Sequence, residues 1–387
     1  MCYYVGIDVA KFKHDFTIVT SDGEVILQST TFKNDFKGFE TIKDSLANLD
    51  HSQEIKIGLE STGHYHKNLV KFLTEQGYQV SILNPYLVHG FIKSRTLRKQ
   101  KTDNLDCLWI AKYLQSEDFK AYQSKLYPCE ELKSLTRSRN KIVRERSNQL
   151  VVVTNCLDRI FPEFKGFFDG KLSKSALVLL FEHSTVDSIK ALTASKIQKI
   201  KDKHKGIRIG KYFEIRDAAK ITIGVPNDST SFIMKQAISQ IFTFDEILNS
   251  YDERIDKIMD EQNSVLESIP GVGRNSASVI LAEYNNFQGF PDADKLLAYA
   301  GLECSRYQSG ESDYHGHMVK RGSPFLRYTL MNLAIALKNH NAVFKEYYLK
   351  KRDEGKRYRV ALNHVVRKFL RVAFKLVSTN QKFNIDQ

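Results

Sequence analysis

The sequence predicts an α/β domain with a mixed sheet at the N-terminus, a middle region of long helices, and a mainly helical C-terminal region. Three observations predict it. Short β-branched runs alternate with amphipathic stretches up to residue 84, residues 241–269 carry apolar side chains at spacings of three and four, and Pro270-Gly271-Val272-Gly273 separates two helical patterns. At 387 residues the chain exceeds one compact core. The expected regions are 1–125, 126–267 and 268–387.

Residues 3–9 (YYVGIDV) read as a buried strand, 15–20 as a second and 24–28 as a third, with Asp22-Gly23 as a hairpin turn between the last two. A helix over 36–48 follows, then a strand at 54–60, a helix over about 64–76 and a strand at 79–84. That strand–helix–strand unit makes the sheet mixed. A helix over about 104–115 closes the domain.

Residues 131–160 read as one long basic helix, and 165–230 show no clear repeat. Ile241, Phe244, Leu248, Tyr251, Ile255, Ile258, Gln262, Val265 and Ile269 then form a seam of about four heptads, the pattern of a coiled coil. Two long helices flanking an insert predict an antiparallel arm, which could also serve as a dimer interface. SIPGVGRNSASVILAE (268–283) reads as a helix-hairpin-helix, whose glycines let a turn approach a phosphate backbone. The basic tail, 344–377, suits either phosphate contact or an amphipathic packing helix.

The net charge is +13 and the pI about 9.3, which points to a polyanionic partner, nucleic acid before membrane. Five scattered cysteines without a CxxC argue against a disulfide framework or a zinc ribbon. No apolar run is long enough to span a bilayer, and the N-terminus carries no secretion signal, so a cytoplasmic location is expected.

Four acids stand out. Asp8 sits inside an apolar strand, where an unpaired carboxylate is expensive; pairing with Lys11 would be the structural reading. Glu60 ends a strand, where α/β sheets bind ligands. Asp103 and Asp106 are three apart at a helix start, facing one way or capping the helix. Asp on the first strand of a meander, Glu on a later parallel strand and Asp-x-x-Asp on the last helix is the RNase H-like (RuvC-like) arrangement, in which carboxylates hold two Mg²⁺ ions. The basic stretch before them, with Lys93, Arg95, Arg98 and Lys99, would draw in a nucleic-acid backbone. Arg137, Arg139, Arg144 and Arg146 are further contacts by the same logic, or a solvated helix face.

Near the C-terminus, residues 299–327 read as a polar, Gly-punctuated loop holding Ser309, followed by Lys320, Arg321 and Arg327, which are able to face phosphates. By itself a loop serine is a turn residue. His315 and His317 lack a partner cluster for a metal.

The chain resembles the DEDD transposases of the IS-one-ten insertion-sequence family, bridge-RNA-guided serine recombinases. The resemblance rests on GIDVAK, GLESTGHY and KTDNLDCLWIAKYL at the N-terminus, and on IPGVG, FPDADKLLAYAGL, YQSGE and KRGSPFLRYTL at the C-terminus. Cys304 stands where many members have a proline. The resemblance implies that Asp8, Glu60, Asp103 and Asp106 bind Mg²⁺ and that Ser309 is the nucleophile. It also implies donor and target double-stranded DNA, a structured non-coding bridge RNA, and dimers assembling to a tetramer. Two other readings compete: a Holliday-junction endonuclease using water, and a non-catalytic nucleic-acid-binding scaffold. The stretch carrying QSGE counts against the first, and the presence of all four acids counts against the second.

Overall fold

The computed structural model describes residues 2–61, 63–95, 103–116, 127–168, 171–203, 208–309 and 312–384. The chain divides into two compact units, Met1–Tyr127 and Pro128–Gln387.

The first unit is a five-stranded mixed sheet with helices on both faces. Strands β1 (Cys2–Val9), β2 (Lys13–Thr20) and β3 (Val25–Lys33) form an antiparallel meander. Strands β4 (Glu54–Glu60) and β5 (Gln79–Leu83) add in parallel, giving the order β3-β2-β1-β4-β5. Helices α1 (Phe36–Ala47) and α2 (His66–Glu75) cover one face. There Val5, Ile7 and Val9, alternating along β1, pack with Phe39, Ile42 and Leu46 of α1 and Leu69, Val70 and Leu73 of α2. Asp35 caps α1 by accepting the Gly38 N–H at 2.8 Å.

Helices α3 (Pro85–Arg95) and α4 (Asp103–Ser116) pack a second core, with Leu83, Val88, Ile110, Tyr113 and Leu114 buried together beside Tyr4. Gly6 lies directly under α4. A Cβ there would overlap the Cys107 carbonyl and the Ala111 backbone nitrogen, so the missing side chain lets α4 rest on β1.

The second unit is built on two long helices, α5 (Tyr127–Ile160) and α10 (Asp228–Gln262). Arg139 meets Asp252, Arg146 meets Asp245 and Arg254 meets Glu131, so the helices run antiparallel, as the arm expectation required. Along α10, Ile241, Leu248, Ile255 and Ile258 are buried, while Phe244 and Tyr251 are half-buried. The insert, featureless in sequence, folds into α6 (Lys174–Glu182), α7 (Val186–Lys190), α8 (Ala194–Lys203) and α9 (Ile209–Lys220), which share one core with the facing ends of α5 and α10. A larger core joins the opposite ends of those helices to α11 (Arg274–Glu283), α12 (Ala293–Tyr299), α13 (Pro324–His340), α14 (Ala342–Asp353) and α15 (Tyr358–Thr379).

Four expectations change. The seam stops at Gln262, because Asn263 takes the left-handed conformation (φ 42°); Val265 then lies in a 3₁₀ turn and Ile269 just past it. Strand β3 is longer than 24–28: as a sheet edge it buries only Phe32, so its polar residues hid it. Helix α3 replaces the start of the basic stretch, with Pro85 as its first residue. The segment carrying Ser309 is a hairpin of β6 (Cys304–Ser309) and β7 (Ser312–Met318), not a loop.

Candidate functional site

The strand register builds the acidic site. Ile7 pairs with Leu59 across the parallel β1–β4 ladder, so the next residues, Asp8 one short of the end of β1 and Glu60 at the end of β4, stand side by side. Both carboxylates therefore leave the same face, the one α4 covers. Asp106, in the first turn of α4, lines a cavity of about 500 Å³ together with Glu60. Pro85, Tyr86, Val88, His89, Ile92, Lys93 and Ile110 complete its walls. Asp103 is the first residue of α4.

A fifth acid escaped the sequence reading. Asp15 lies directly opposite Asp8 in the antiparallel β1–β2 pair and is buried. Its carboxylate accepts from the Thr31 hydroxyl and stands 3.7 Å from the Lys13 ammonium. Burial is the main cause that pushes the Cys107 thiol up, and the negative charges of Asp15 and Asp8 add to it. Like charges on directly opposed residues destabilise a sheet, so the β2-β1-β4 row of Asp15, Asp8 and Glu60 favours a cation nearby. The signal was present in the sequence: the short β1–β2 turn fixes that register.

Among the described residues, no group of three His, Cys, Asp or Glu side chains is close enough to hold a metal by itself. Mg²⁺ keeps several waters and is bound through one or two carboxylates plus substrate phosphates, and Glu60 and Asp106 line one cavity. The donors at hand are all hard carboxylate oxygens, as Mg²⁺ requires.

The expected basic contacts divide. Lys93 is exposed at the cavity, and Arg95 stacks its guanidinium over the Phe91 ring at 5.3 Å. Arg98 and Lys99 lie outside the described residues. Arg139 and Arg146 grip Asp252 and Asp245 across the arm, each through two nitrogens. Arg137 holds the buried Glu283 the same way, at 2.6 and 2.9 Å. Arg137 and Arg144 are both exposed, and of the four on α5 Arg144 is the one in no ion pair among the described residues. Lys320 and Arg321 are exposed beside the hairpin, whereas Arg327 donates to the carbonyls of Ala300 and Lys320 and so holds that turn together.

Ser309 is the last residue of β6 and pairs with Ser312 across the hairpin's end. It belongs to the second unit, and the acids belong to the first. The expected helix-hairpin-helix runs from α10 through the 3₁₀ turn to α11. Gly271 takes φ 96°, and a Cβ there would come within 3.2 Å of Ala336 and Leu337 of α13. Its close approach is therefore to the protein's own helix. The basic tail forms α14 and α15, and α15 buries Val365, Val366, Phe369, Leu370 and Ala373, the amphipathic packing option. No helix among the described residues is long and apolar enough to cross a membrane.

Comparison with known proteins places this geometry. A family model described as a DEDD transposase of the IS110 type matches residues 5–162, and a model of the IS116/IS110/IS902 transposase family matches 263–349, together more than half the chain. The insertion element IS116 protein of Streptomyces clavuligerus is 23% identical over 98% of this chain and 96% of its own. The pilin gene-inverting protein of Moraxella lacunata is 22% identical over 98% and 97%. The insertion element IS900 protein of Mycobacterium paratuberculosis is 21% identical over 97% and 95%.

Proposed function

The chain belongs to the IS110 family of transposases, and we propose that it excises and inserts an insertion sequence through a covalent serine–DNA intermediate. The observation that carries this reading is the β1–β4 register that sets Asp8 beside Glu60, with Glu60 and Asp106 lining one cavity.

In this reading Asp8, Glu60, Asp103 and Asp106 hold Mg²⁺. When bound, the metal supplies charge neutralisation at the scissile phosphate and lowers the proton affinity of the attacking hydroxyl. The Ser309 Oγ forms a bond to phosphorus and gives up its proton. The bond from phosphorus to the departing sugar oxygen breaks, and that oxygen leaves as a hydroxyl. In the second half, a sugar hydroxyl of the new partner strand attacks the phosphoserine, and Ser309 recovers its proton. One phosphoester is exchanged for another at each step, so no nucleotide hydrolysis is required.

The second half of the proposal concerns partners. A structured RNA that pairs with donor and target DNA would read sequence, while the protein holds backbones. A net charge of +13 supports a chain that holds two polyanions. A dimer assembling to a tetramer would let acids of one copy meet the serine of another.

The test is an adduct assay. Protein and RNA are mixed with Mg²⁺ and labelled junction DNA, then denatured, and DNA migrating with protein is measured. The adduct should vanish in Ser309→Ala and in Asp106→Ala. Cleavage without adduct that survives Ser309→Ala but not Asp106→Ala would instead establish a hydrolytic nuclease.

A further inference from the structure

The cavity that Glu60 and Asp106 share has a second wall, which neither the motifs nor the acids account for. We propose that the Tyr86–His89–Lys93 face of α3 cradles a single DNA strand, with an unpaired base stacked on Tyr86 and the adjoining phosphate held by Lys93. This deepens the proposed function and rests on its reading of the carboxylates as the phosphodiester site.

Spacings of three and four put residues 86, 89 and 93 on one stripe of α3, and all three line the cavity. The stripe orders its chemistry along the helix. Tyr86 comes first and is 74% exposed, a large ring offered to solvent beside a carboxylate-lined cavity. Lys93 comes last and brings the positive charge. His89 lies between them, and either neutral tautomer offers one N–H to a phosphate or sugar oxygen.

The platform is held from behind. Pro85 starts the helix, the Asn84 side chain accepts the Tyr86 N–H at 3.0 Å, and Val88, also on the cavity wall, is buried among Leu83, Ile110, Tyr113 and Leu114. Such anchoring fixes the direction from which the ring meets a ligand. Lys93 also answers an electrostatic need: a phosphate approaching Glu60 and Asp106 meets like charge, which a cation on the facing wall offsets.

A single strand follows from the shape of the contact. In a duplex each base already has both faces covered, so a tyrosine ring gains nothing by stacking. An unpaired base has a free face, and it stacks favourably on an aromatic ring whatever its sequence. A cavity of about 500 Å³ also lies in the size range of a small-molecule site, matching a nucleotide rather than a double helix.

The experiment uses the full chain with Ca²⁺ in place of Mg²⁺, to hold DNA without cutting it. Single strands carrying 2-aminopurine at successive positions, and a duplex of equal length, are titrated while fluorescence and anisotropy are read. Wild type should quench the probe at one position. Tyr86→Ala should abolish that quenching and weaken single-strand affinity roughly tenfold, with duplex affinity nearly unchanged. Tyr86→Phe should keep both. Equal losses for single strand and duplex in Tyr86→Ala would overturn the proposal, as would unchanged quenching or a Tyr86 effect confined to an RNA strand. The two readings fail separately: intact Mg²⁺-dependent cleavage in Glu60→Gln and Asp106→Asn would sink the carboxylate assignment, whatever Tyr86 does.

Discussion

Arg137 offers the sharpest division between holding the protein and holding nucleic acid. Its Nε and Nη2 donate to the two carboxylate oxygens of Glu283 at 2.6 and 2.9 Å. The Glu283 side chain is 0% exposed, and that of Arg137 48%. In Arg137→Met the carboxylate stays buried and loses both charge-assisted donors. Removing one partner of a buried pair costs about 3–5 kcal/mol. Because Arg137 is half in water, solvent can reach part of the gap, so we take the lower end, about 3 kcal/mol. The double variant Arg137→Met/Glu283→Leu leaves no buried charge and should return to within about 1 kcal/mol of wild type. Urea unfolding of the full chain, with the slope checked for constancy, measures all three variants. A loss below about 1 kcal/mol in Arg137→Met, or no recovery in the double variant, would refute the view that Arg137 serves Glu283.

The other expectations are shorter. Arg144→Ala should leave unfolding unchanged and reduce the slope of log affinity against log salt by about one unit, read by anisotropy on duplex DNA; an unchanged slope removes Arg144 from the contact surface. Gly6→Ala drives a methyl into the backbone of α4, so it should cost about 1–3 kcal/mol and lower DNA cleavage by displacing Asp106, measured by melting and by product yield. His14 is buried between Phe32 and Phe39 and accepts the Ala10 N–H; burial lowers its pKa from 6.5, outweighing the opposing pulls of Asn34 and Asp15. The unfolded chain therefore binds a proton at His14 more readily than the fold does, so stability should fall as pH drops below about 6.5 and stay flat above it. Melting temperatures should show that fall in wild type and lose most of it in His14→Leu.

What the sequence disclosed follows the range of the interactions involved. Strands β1, β2, β4 and β5 were legible because each buries a run of β-branched or aliphatic residues. Helix α3 was not: Val88 is its one buried residue, and Gly90 breaks its pattern. Asp8, Glu60 and Asp106 were legible locally, as a charge in an apolar strand, a charge at a strand end and a spacing of three. The meeting of Asp8 and Glu60 needed only the β1–β4 register, whereas Asp106 joined through the packing of α4 on Gly6. Tyr86 and His89 became visible as cavity-lining residues only once α3 existed to align them with Lys93.

The arginines show why a charge surplus does not locate its own contacts. Arg137, Arg139, Arg144 and Arg146 sit within ten residues on one helix and look alike in sequence. Their partners lie 146, 113 and 99 residues away for Arg137, Arg139 and Arg146. Only the antiparallel return of α10 and the packing of α11 decide which guanidiniums meet carboxylates. A net charge of +13 counts cations and acids together, so every internal pair removes one of each and leaves the surplus intact. The surplus therefore predicts a polyanion regardless of pairing. The identity of the cations left to meet it depends on the fold, and of these four arginines Arg144 is the one that meets no carboxylate among the described residues.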